Sequence, residues 1–321
     1  PLHLASLNLD LPAKLIITLL FMGSGLAIWA WLRRLLTSAA GLAGAALYLS
    51  QPHIFRELYF QGDYPQLLAV LLLPVVFWAF TRLYQEGNWL RWLVAPLSLA
   101  TLVIMHNIMV MLGAGLLVLY WLALHLWHRQ GRGLLRGVAA AAFAAGLTAF
   151  FWLPALADAD LVSIGNLQRG FFHFAQYFVP WQDLLAAPPV FDSRAGNPPF
   201  PHLLGWAAWL VVAAGILVLV SSLARRHGRR VNGALGEHSG RAYWALVGLL
   251  IVGASLALTQ PWSTPLWKAL PPLALVQFPG RFLAPAALGV ALAGGAVVAA
   301  GGERWSWLLL AALTLAVGLS S

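Results

Sequence analysis

The chain has 321 residues, a formal net charge of +9, 61% hydrophobic residues and only 9% charged residues. Soluble domains are roughly 45–50% apolar and about 25% charged, so this composition excludes a soluble fold that hides its apolar surface from water. It predicts an all-α, polytopic membrane protein, because in lipid every backbone polar group must be paired within the chain. The chain has no cysteine, which excludes disulfides and thiolate metal sites.

The apolar runs predict about ten spans in a single transmembrane domain, residues 1–321, since a spanning helix needs about 20 apolar residues. The second and fourth runs are short, and they are alternatively tilted hairpin partners or re-entrant segments. In chain order the predicted spans are Leu11–Leu32, Leu35–Leu49, Leu67–Tyr84, Trp92–His106, Ile108–Trp127, Leu134–Ala157, His202–Ala224, Ala242–Thr259, Phe282–Ala300 and Trp305–Leu319.

The basic residues predict the orientation of these spans. One set of alternate loops, with the adjoining span ends, carries thirteen Lys and Arg residues, and the other set carries six. Cytoplasmic loops carry the excess of Lys and Arg, so we expect the N-terminus outside. Membrane topology thus accounts for the positive charge, without nucleic-acid binding. The outer loops are 51–66, 158–201 and 260–281; they are long and chemically mixed, and function is expected there.

The first outer loop, residues 51–66, is punctuated by a proline and a Gly-Asp pair, and it predicts one short amphipathic helix. In one interpretation it binds an anionic lipid-linked substrate, with Arg56 paired to phosphate. In the other it is an interfacial helix in which Arg56 and Glu57 only pair with neighbours. The candidate residues of this loop are His53, Arg56, Glu57 and Asp63.

His106 and Asn107 occupy a tight outer turn between the fourth and fifth predicted spans. The imidazole could hold a phosphate, a hydroxyl or a metal, and Asn107 could cap the following helix. The alternative is a turn that needs polar residues at the membrane interface.

Arg281 follows a chain break at Pro279 and Gly280, just before the ninth predicted span. The positive-inside rule disfavours arginine on this side, so a compensating partner is expected. A phosphate or diphosphate is a good partner because a guanidinium binds it through two parallel hydrogen bonds. Lipid headgroups or an outer-loop aspartate are the alternatives. The neighbouring Gln277 is a further candidate for substrate contact.

Asp158 and Asp160 form a D-x-D pair at the start of the second long outer loop. Such a pair could bind a divalent metal through its carboxylate oxygens, and ordinary helix capping is the alternative. The sequence contains no P-loop, nucleophile elbow or His-Glu zinc motif. A divalent metal is therefore the only cofactor that the pattern suggests.

Several motifs resemble those of bacterial multipass proteins labelled "6-pyruvoyl-tetrahydropterin synthase-related membrane domain". The sequence departs from that pattern at Gln61, where arginine is expected, and at Gln66, where glutamate is expected. The zinc-binding histidine set of the soluble pterin enzyme is absent. The residues that carry the resemblance are Tyr48, Pro52, Arg56, Tyr59, Gly62-Asp63 and Pro74, then His106-Asn107, Phe151-Trp152-Leu153-Pro154 and Gln277-Phe278-Pro279-Gly280-Arg281-Phe282.

This family is similar in layout to the C-type glycosyltransferases, which move a sugar from a polyprenyl-phosphate donor outside the membrane. The resemblance implies an inverting displacement with a carboxylate base. Pro1–Pro12 resembles only the tail of the first outer loop of those enzymes, so we expect the catalytic acid upstream of Pro1. The alternatives are a transporter or flippase of a lipid-linked or polar solute, or a non-catalytic membrane assembly protein. The expected phosphate ligands are Arg56, His106 and Arg281, and the expected secondary substrate contacts are His53, Glu57, Asp63, Asn107 and Gln277.

Overall fold

The protein is a bundle of helices of very different lengths. The computed structural model describes residues 10–158, 170–189, 200–228 and 236–302, and within these ranges every regular element is helical. The α-helices are α1 Asp10–Leu35, α2 Ser38–Leu49, α3 Pro52–Arg56, α4 Tyr64–Gln85, α5 Trp89–Met105, α6 Asn107–His128, α7 Gly131–Leu147, α8 Ala149–Ala157, α9 Trp181–Leu185, α10 Trp206–Gly228, α11 Gly236–Leu258, α12 Thr264–Ala269, α13 Pro271–Ala274 and α14 Leu283–Ala300. A π-helical turn, Glu57–Gln61, continues α3, and 3₁₀ turns lie at Gly170–Phe172, Phe174–Gln176, Pro261–Ser263 and Pro279–Phe282.

Six helices of the described chain are long and apolar enough to cross a membrane, and the bent pair α7–α8 raises the number to seven. The helical, polytopic class is therefore confirmed, whereas the count of about ten spans is not. The run Leu35–Leu49 contains only the 12-residue α2, about 18 Å long at 1.5 Å per residue, against a hydrocarbon core of about 30 Å. The run Leu134–Ala157 is broken by a 69° bend between α7 and α8.

Two further predicted spans differ for other reasons. The run Trp92–His106 corresponds to α5, which has 17 residues and is shorter than each of the six candidate spans. The run Trp305–Leu319 lies outside the described residues. Length, not polarity, therefore separates α2 and α5 from the six candidate spans.

The centre of the bundle is α14, and the candidate span that contains it is wholly buried. It packs against α2, α10 and α11. Its sequence is rich in alanine and glycine, which lets neighbouring backbones approach closely. A Cβ atom added to Gly248 of α11 would lie 2.8 Å from the carbonyl oxygen of Gly289. The start of α14 is therefore held in a fixed position by three neighbouring helices.

Interhelical contacts divide the described bundle into two ends. At one end, Arg34 of α1, Arg82 of α4 and Arg91 of α5 all contact Glu86; we call these four residues the arginine-rich end. At the opposite end the first turn of α4 meets the turn that precedes α14. We call the polar residues there the polar cluster: His53, Arg56, Glu57, Asp63, Gln66, His106, His202 and Arg281.

Candidate functional site: a buried polar cluster

Chain segments that are distant in sequence meet in the polar cluster. The Nε atom of Arg281 donates to Oε1 of Gln66 at 2.7 Å, across 215 residues of chain. The Nε atom of Arg56 donates to the carbonyl oxygen of Phe200 at 3.1 Å, across 144 residues. The structure thus places the arginines that were predicted from separate loops at the same end of the bundle.

The segment formed by α3 and the π-helical turn Glu57–Gln61 has a buried and an exposed face. A spacing of four residues places His53 and Glu57 on the same side, which is buried. Tyr59 on the exposed side is 72% accessible. The turn ends at Gly62, whose φ of +64° suits glycine, and its N–H donates to the Glu57 carbonyl oxygen at 3.0 Å. π-helical turns are rare and recur at functional sites.

His53 and Glu57 form a buried pair of titratable groups, with side chains 2% and 1% exposed. His53 Nδ1 lies 3.6 Å from Glu57 Oε1, which is longer than a hydrogen bond. Among the described residues, no group meets both the distance and the angle of a hydrogen bond to either ring nitrogen or either carboxylate oxygen, although the Gln66 side chain is near enough to favour the ionised form of Glu57. Burial raises the pKa of the Glu57 carboxyl to about 7, although the Arg56 charge opposes the shift. Burial lowers the pKa of His53 to about 3, so its ring is neutral near pH 7.

Arg56 keeps hydrogen-bonding capacity for a further acceptor. Its side chain is 16% exposed, and Nη1 lies 3.7 Å from Glu57 Oε1. Within the described ranges Nη1 is buried without a hydrogen-bond partner. Burial lowers the pKa of the guanidinium, but arginine stays protonated at neutral pH. A buried cation of this kind is stabilised by an anion that accepts directly from it.

Arg281 is oriented by neutral acceptors. Besides the Gln66 amide, the Val276 carbonyl oxygen accepts from Nη1 at 2.8 Å. The guanidinium carbon lies 5.0 Å from the centre of the Phe278 ring. Gln277, which is buried, has a φ of +65° and makes the left-handed turn between Val276 and Phe278. Backbone turn and ring together fix the direction of the guanidinium.

His106 caps α6, whereas Asn107 was expected to do so. His106 Nδ1 accepts from the Met109 N–H at 3.1 Å, so Nε2 carries the proton of the neutral ring and faces Asp63 Oδ2 at 3.9 Å. Burial lowers the pKa of His106, against the opposing charge of Asp63. The exposed Asn107 accepts at Oδ1 from the Ile108 N–H at 2.8 Å. The cap position is extended at His106, with φ −160° and ψ 112°, and the helix begins one residue later.

His202 is a member of the cluster that the sequence analysis did not single out. Its ring packs against Gly280, where any Cβ would overlap it. Burial lowers the pKa of His202 to about 3, and Nδ1 is buried with no hydrogen-bond partner in the described chain. One signal could have found it: like His106, it is an imidazole at the outer edge of a predicted span, directly after a proline-rich stretch.

The D-x-D pair is not joined to the cluster by any contact that the structure describes. Asp158 is exposed at the end of α8, and Asp160 lies outside the described residues. In the described part of the chain, no group of three or more His, Asp or Glu residues is arranged to hold a metal ion. Binding of a divalent metal stays a prediction.

The arginine-rich end is organised differently. Arg34 Nη2, Arg82 Nη2 and Arg91 Nη2 lie 2.6, 2.7 and 3.2 Å from the Glu86 carboxylate. The Glu86 side chain is 30% exposed. The Glu86 carboxylate is therefore paired with three arginines and partly exposed to solvent, unlike the Glu57 carboxylate of the polar cluster.

Comparison with known proteins decides the family. A protein-family model described as "6-pyruvoyl-tetrahydropterin synthase related domain; membrane protein" matches residues 8–321. The chain belongs to this family. Neither a curated protein nor a solved structure matches it. The membrane description agrees with the six apolar helices, and the resemblance drawn from short motifs is confirmed at the level of the family.

The family motifs meet in space. The stretch that begins at Pro52 supplies His53 and Arg56, and the stretch that begins at Gln277 supplies Arg281. Gln66 was noted in the sequence analysis as a departure from an expected glutamate, and its neutral amide accepts from Arg281. A glutamate at that position would neutralise the guanidinium, so the departure leaves Arg281 without a direct ion pair among the described residues.

Proposed function

We propose that this protein is a glycosyltransferase-like membrane enzyme that takes a sugar from a lipid-phosphate donor at the polar cluster. The observation that carries the proposal is the partial burial of Arg56 and Arg281 at one end of the bundle, where both charges act on the Glu57 carboxyl. Phosphate suits such a site because it accepts from several guanidinium N–H groups at once. The resemblance in layout to C-type glycosyltransferases, drawn from the sequence motifs, is the reason for choosing a sugar donor.

In this proposal the donor phosphate accepts from Arg56, His106 and Arg281. The Gln66 amide and the Val276 carbonyl hold Arg281 before the donor arrives, so little reorganisation is needed on binding. The remaining contacts to donor or acceptor come from His53, Glu57, Asp63, Asn107 and Gln277.

The reaction is an inverting displacement at the anomeric carbon. The acceptor hydroxyl forms the new bond to that carbon while the bond from carbon to phosphate oxygen breaks. The lipid phosphate leaves with the bonding electrons, and a carboxylate base takes the hydroxyl proton.

The proposal places the polar cluster on the non-cytoplasmic side of a bacterial inner membrane. The arginine-rich end would face the cytoplasm, as the positive-inside rule requires. Since Arg34 at the end of α1 lies at the arginine-rich end, the start of α1 would lie outside.

A transfer assay tests the proposal. The full-length protein in nanodiscs is incubated with polyprenyl phosphate carrying radiolabelled glucose or mannose and with cell membranes as the acceptor source, and released polyprenyl phosphate is measured. We expect release by the wild type and a loss of about 10- to 100-fold in kcat/KM for Arg281→Gln and Arg56→Gln, since hydrogen bonds to charged groups contribute about 1.5–3 kcal/mol. Arg82→Gln at the arginine-rich end is the matched control and should retain activity.

The outcomes separate the candidate functions. In sealed proteoliposomes, donor that crosses the bilayer without releasing polyprenyl phosphate would identify a flippase and overturn the proposal. Equal activity of Arg281→Gln and the wild type would also overturn it. Thermal unfolding of each variant, with Arg281→Lys as the variant that keeps the charge, distinguishes lost binding from a lost fold.

A further inference from the structure

Glu57 and a bound phosphate would compete for the same cation. Glu57 Oε1 lies 3.7 Å from Arg56 Nη1, the guanidinium nitrogen that has no hydrogen-bond partner among the described residues. The Nε atom of Arg56 already donates a hydrogen bond to the Phe200 carbonyl oxygen. A phosphate that accepts from Nη1 must therefore sit within a few ångströms of the Glu57 carboxyl.

Two anions so close in a buried site cannot both keep their charge. The Glu57 side chain is 1% exposed, so water does little to screen the repulsion. A phosphodiester cannot accept a proton near neutral pH, whereas a buried carboxyl can. The proton must therefore reside on Glu57 when the phosphate is bound.

The groups around Glu57 support this assignment. His53 beside it is neutral, since burial lowers its pKa to about 3, and it cannot supply a second cation. Burial already raises the pKa of Glu57 to about 7, so one proton can be gained near physiological pH. The charged and titratable groups that act on Glu57 or on His53 are Arg56 of α3, Asp63 of the turn before α4, Arg281 of the turn before α14, and His202 of the segment after Phe200.

We propose that Glu57 in its neutral form is a ligand of the lipid phosphodiester, so that binding takes up one proton from solution. The carboxylic O–H donates to a phosphate oxygen, and Arg56 Nη1 donates to the same group. This inference rests on the phosphate site of the proposed function. The ligand chemistry is a singly charged phosphodiester, which a polyprenyl-phosphate sugar and an ordinary membrane phospholipid both contain.

The sign of the pH dependence follows from linkage. Below about pH 7 Glu57 is already protonated, so affinity is highest and independent of pH. Above about pH 7, binding must take a proton from solution. Kd then rises about tenfold per pH unit until the pH reaches the pKa of Glu57 in the bound state. Affinity is therefore lost as the pH rises.

Binding titrations test the proposal. The full-length protein in detergent is titrated with polyprenyl phosphate glucose, and separately with phosphatidylglycerol, at several pH values from about 6 to 9. We expect the wild type to weaken above about pH 7. Glu57→Gln, a permanently neutral analogue, should keep the low-pH affinity over the whole range. Glu86→Gln at the arginine-rich end is the carboxyl control and should retain the wild-type pH dependence.

Each outcome has one consequence. A pH-independent wild type, or a Glu57→Gln variant with the wild-type slope, overturns the proton-linked role while leaving the transferase proposal intact. Proton-linked binding of phosphatidylglycerol alone supports the role of Glu57 and removes the lipid-linked sugar as the ligand. If neither lipid binds at any pH, the phosphate site and this inference fall together.

Discussion

The two ends of the bundle treat charge in opposite ways. At the arginine-rich end, Glu86 accepts from three arginines at ion-pair distance, and its side chain is 30% exposed. In the polar cluster, Glu57 is 1% exposed and its nearest cationic nitrogen, on Arg56, lies 3.7 Å away. The first arrangement is what solvated loops adopt without any ligand.

The second arrangement costs stability. A buried carboxyl without a hydrogen bond is expensive, and such groups in native structures call for an explanation. Perturbed titratable groups gather at functional sites. The contrast therefore points to the polar cluster, and away from the arginine-rich end, as the site of chemistry.

The largest expected effect is on the pH dependence of stability. Burial raises the pKa of Glu57 from the ordinary value of 4.5 to about 7. The contribution of Glu57 protonation to the free energy of unfolding is therefore fully present below pH 4.5 and is lost as the pH rises to about 7. The free energy of unfolding of Glu57→Gln, relative to the wild type, should therefore increase by about 1.4 kcal/mol per pH unit in that window. Chemical unfolding at a series of pH values measures the difference.

Glu86→Gln is the counterpart at the other end. The arginines lower the pKa of Glu86, although burial opposes them, so its contribution is complete above pH 4.5 and disappears only on acidification. The difference between this variant and the wild type should be flat from pH 4.5 to 7. Parallel slopes for the two variants would contradict the contrast between the ends.

A smaller loss of stability is expected when a methyl group is added beside the polar cluster. Gly280→Ala places a methyl group in the ring of His202, and overpacking of this kind typically costs about 1–3 kcal/mol. Gly131→Ala at the start of α7 meets no atom within 4 Å and should be neutral or slightly stabilising. Thermal unfolding in detergent compares them, and a neutral Gly280→Ala would show that the His202 ring is not fixed.

The smallest effect concerns the solvated ion pairs. Arg34→Gln removes one of three partners of Glu86, whose pairs are partly exposed, and should cost at most about 1 kcal/mol. The cost should shrink in about 1 M salt, where the Debye length is about 3 Å. A larger cost that does not depend on salt would place this end among the structural determinants of the fold.

Sequence reasoning could locate the apolar helical segments and most of the cluster. The apolar runs and alternating arginines depend on lipid burial and topology, which are visible in composition. Arg56, His106 and Arg281 stood out because polar groups are scarce at the outer edges of the runs. Helix lengths were harder to predict, since α2 and α5 lie in apolar runs but are short. The bend between α7 and α8 was also hard to predict, because no proline or charged residue immediately precedes it.

The state of Glu57 could not be predicted. One of the two interpretations of the sequence was an ordinary ion pair of Arg56 and Glu57 at the interface. The two groups lie 3.7 Å apart, and Glu57 is buried. The burial depends on tertiary packing, because the segment at Phe200 lies against Phe60, with ring centroids 4.6 Å apart, and accepts a hydrogen bond from Arg56. His202 belongs to the same distant segment, so no local pattern connected it to the first outer loop.

The most direct test compares lipid phosphodiester binding after charge removal at each end. The full-length protein is titrated with polyprenyl phosphate glucose at about pH 6, where Glu57 is protonated. The double variant Arg56→Gln, Arg281→Gln should lose about 100-fold or more in affinity, since two charge-assisted hydrogen bonds are removed. The double variant Arg34→Gln, Arg82→Gln should stay close to the wild type. Equal losses at the two ends, or no loss in the polar cluster, would contradict the account.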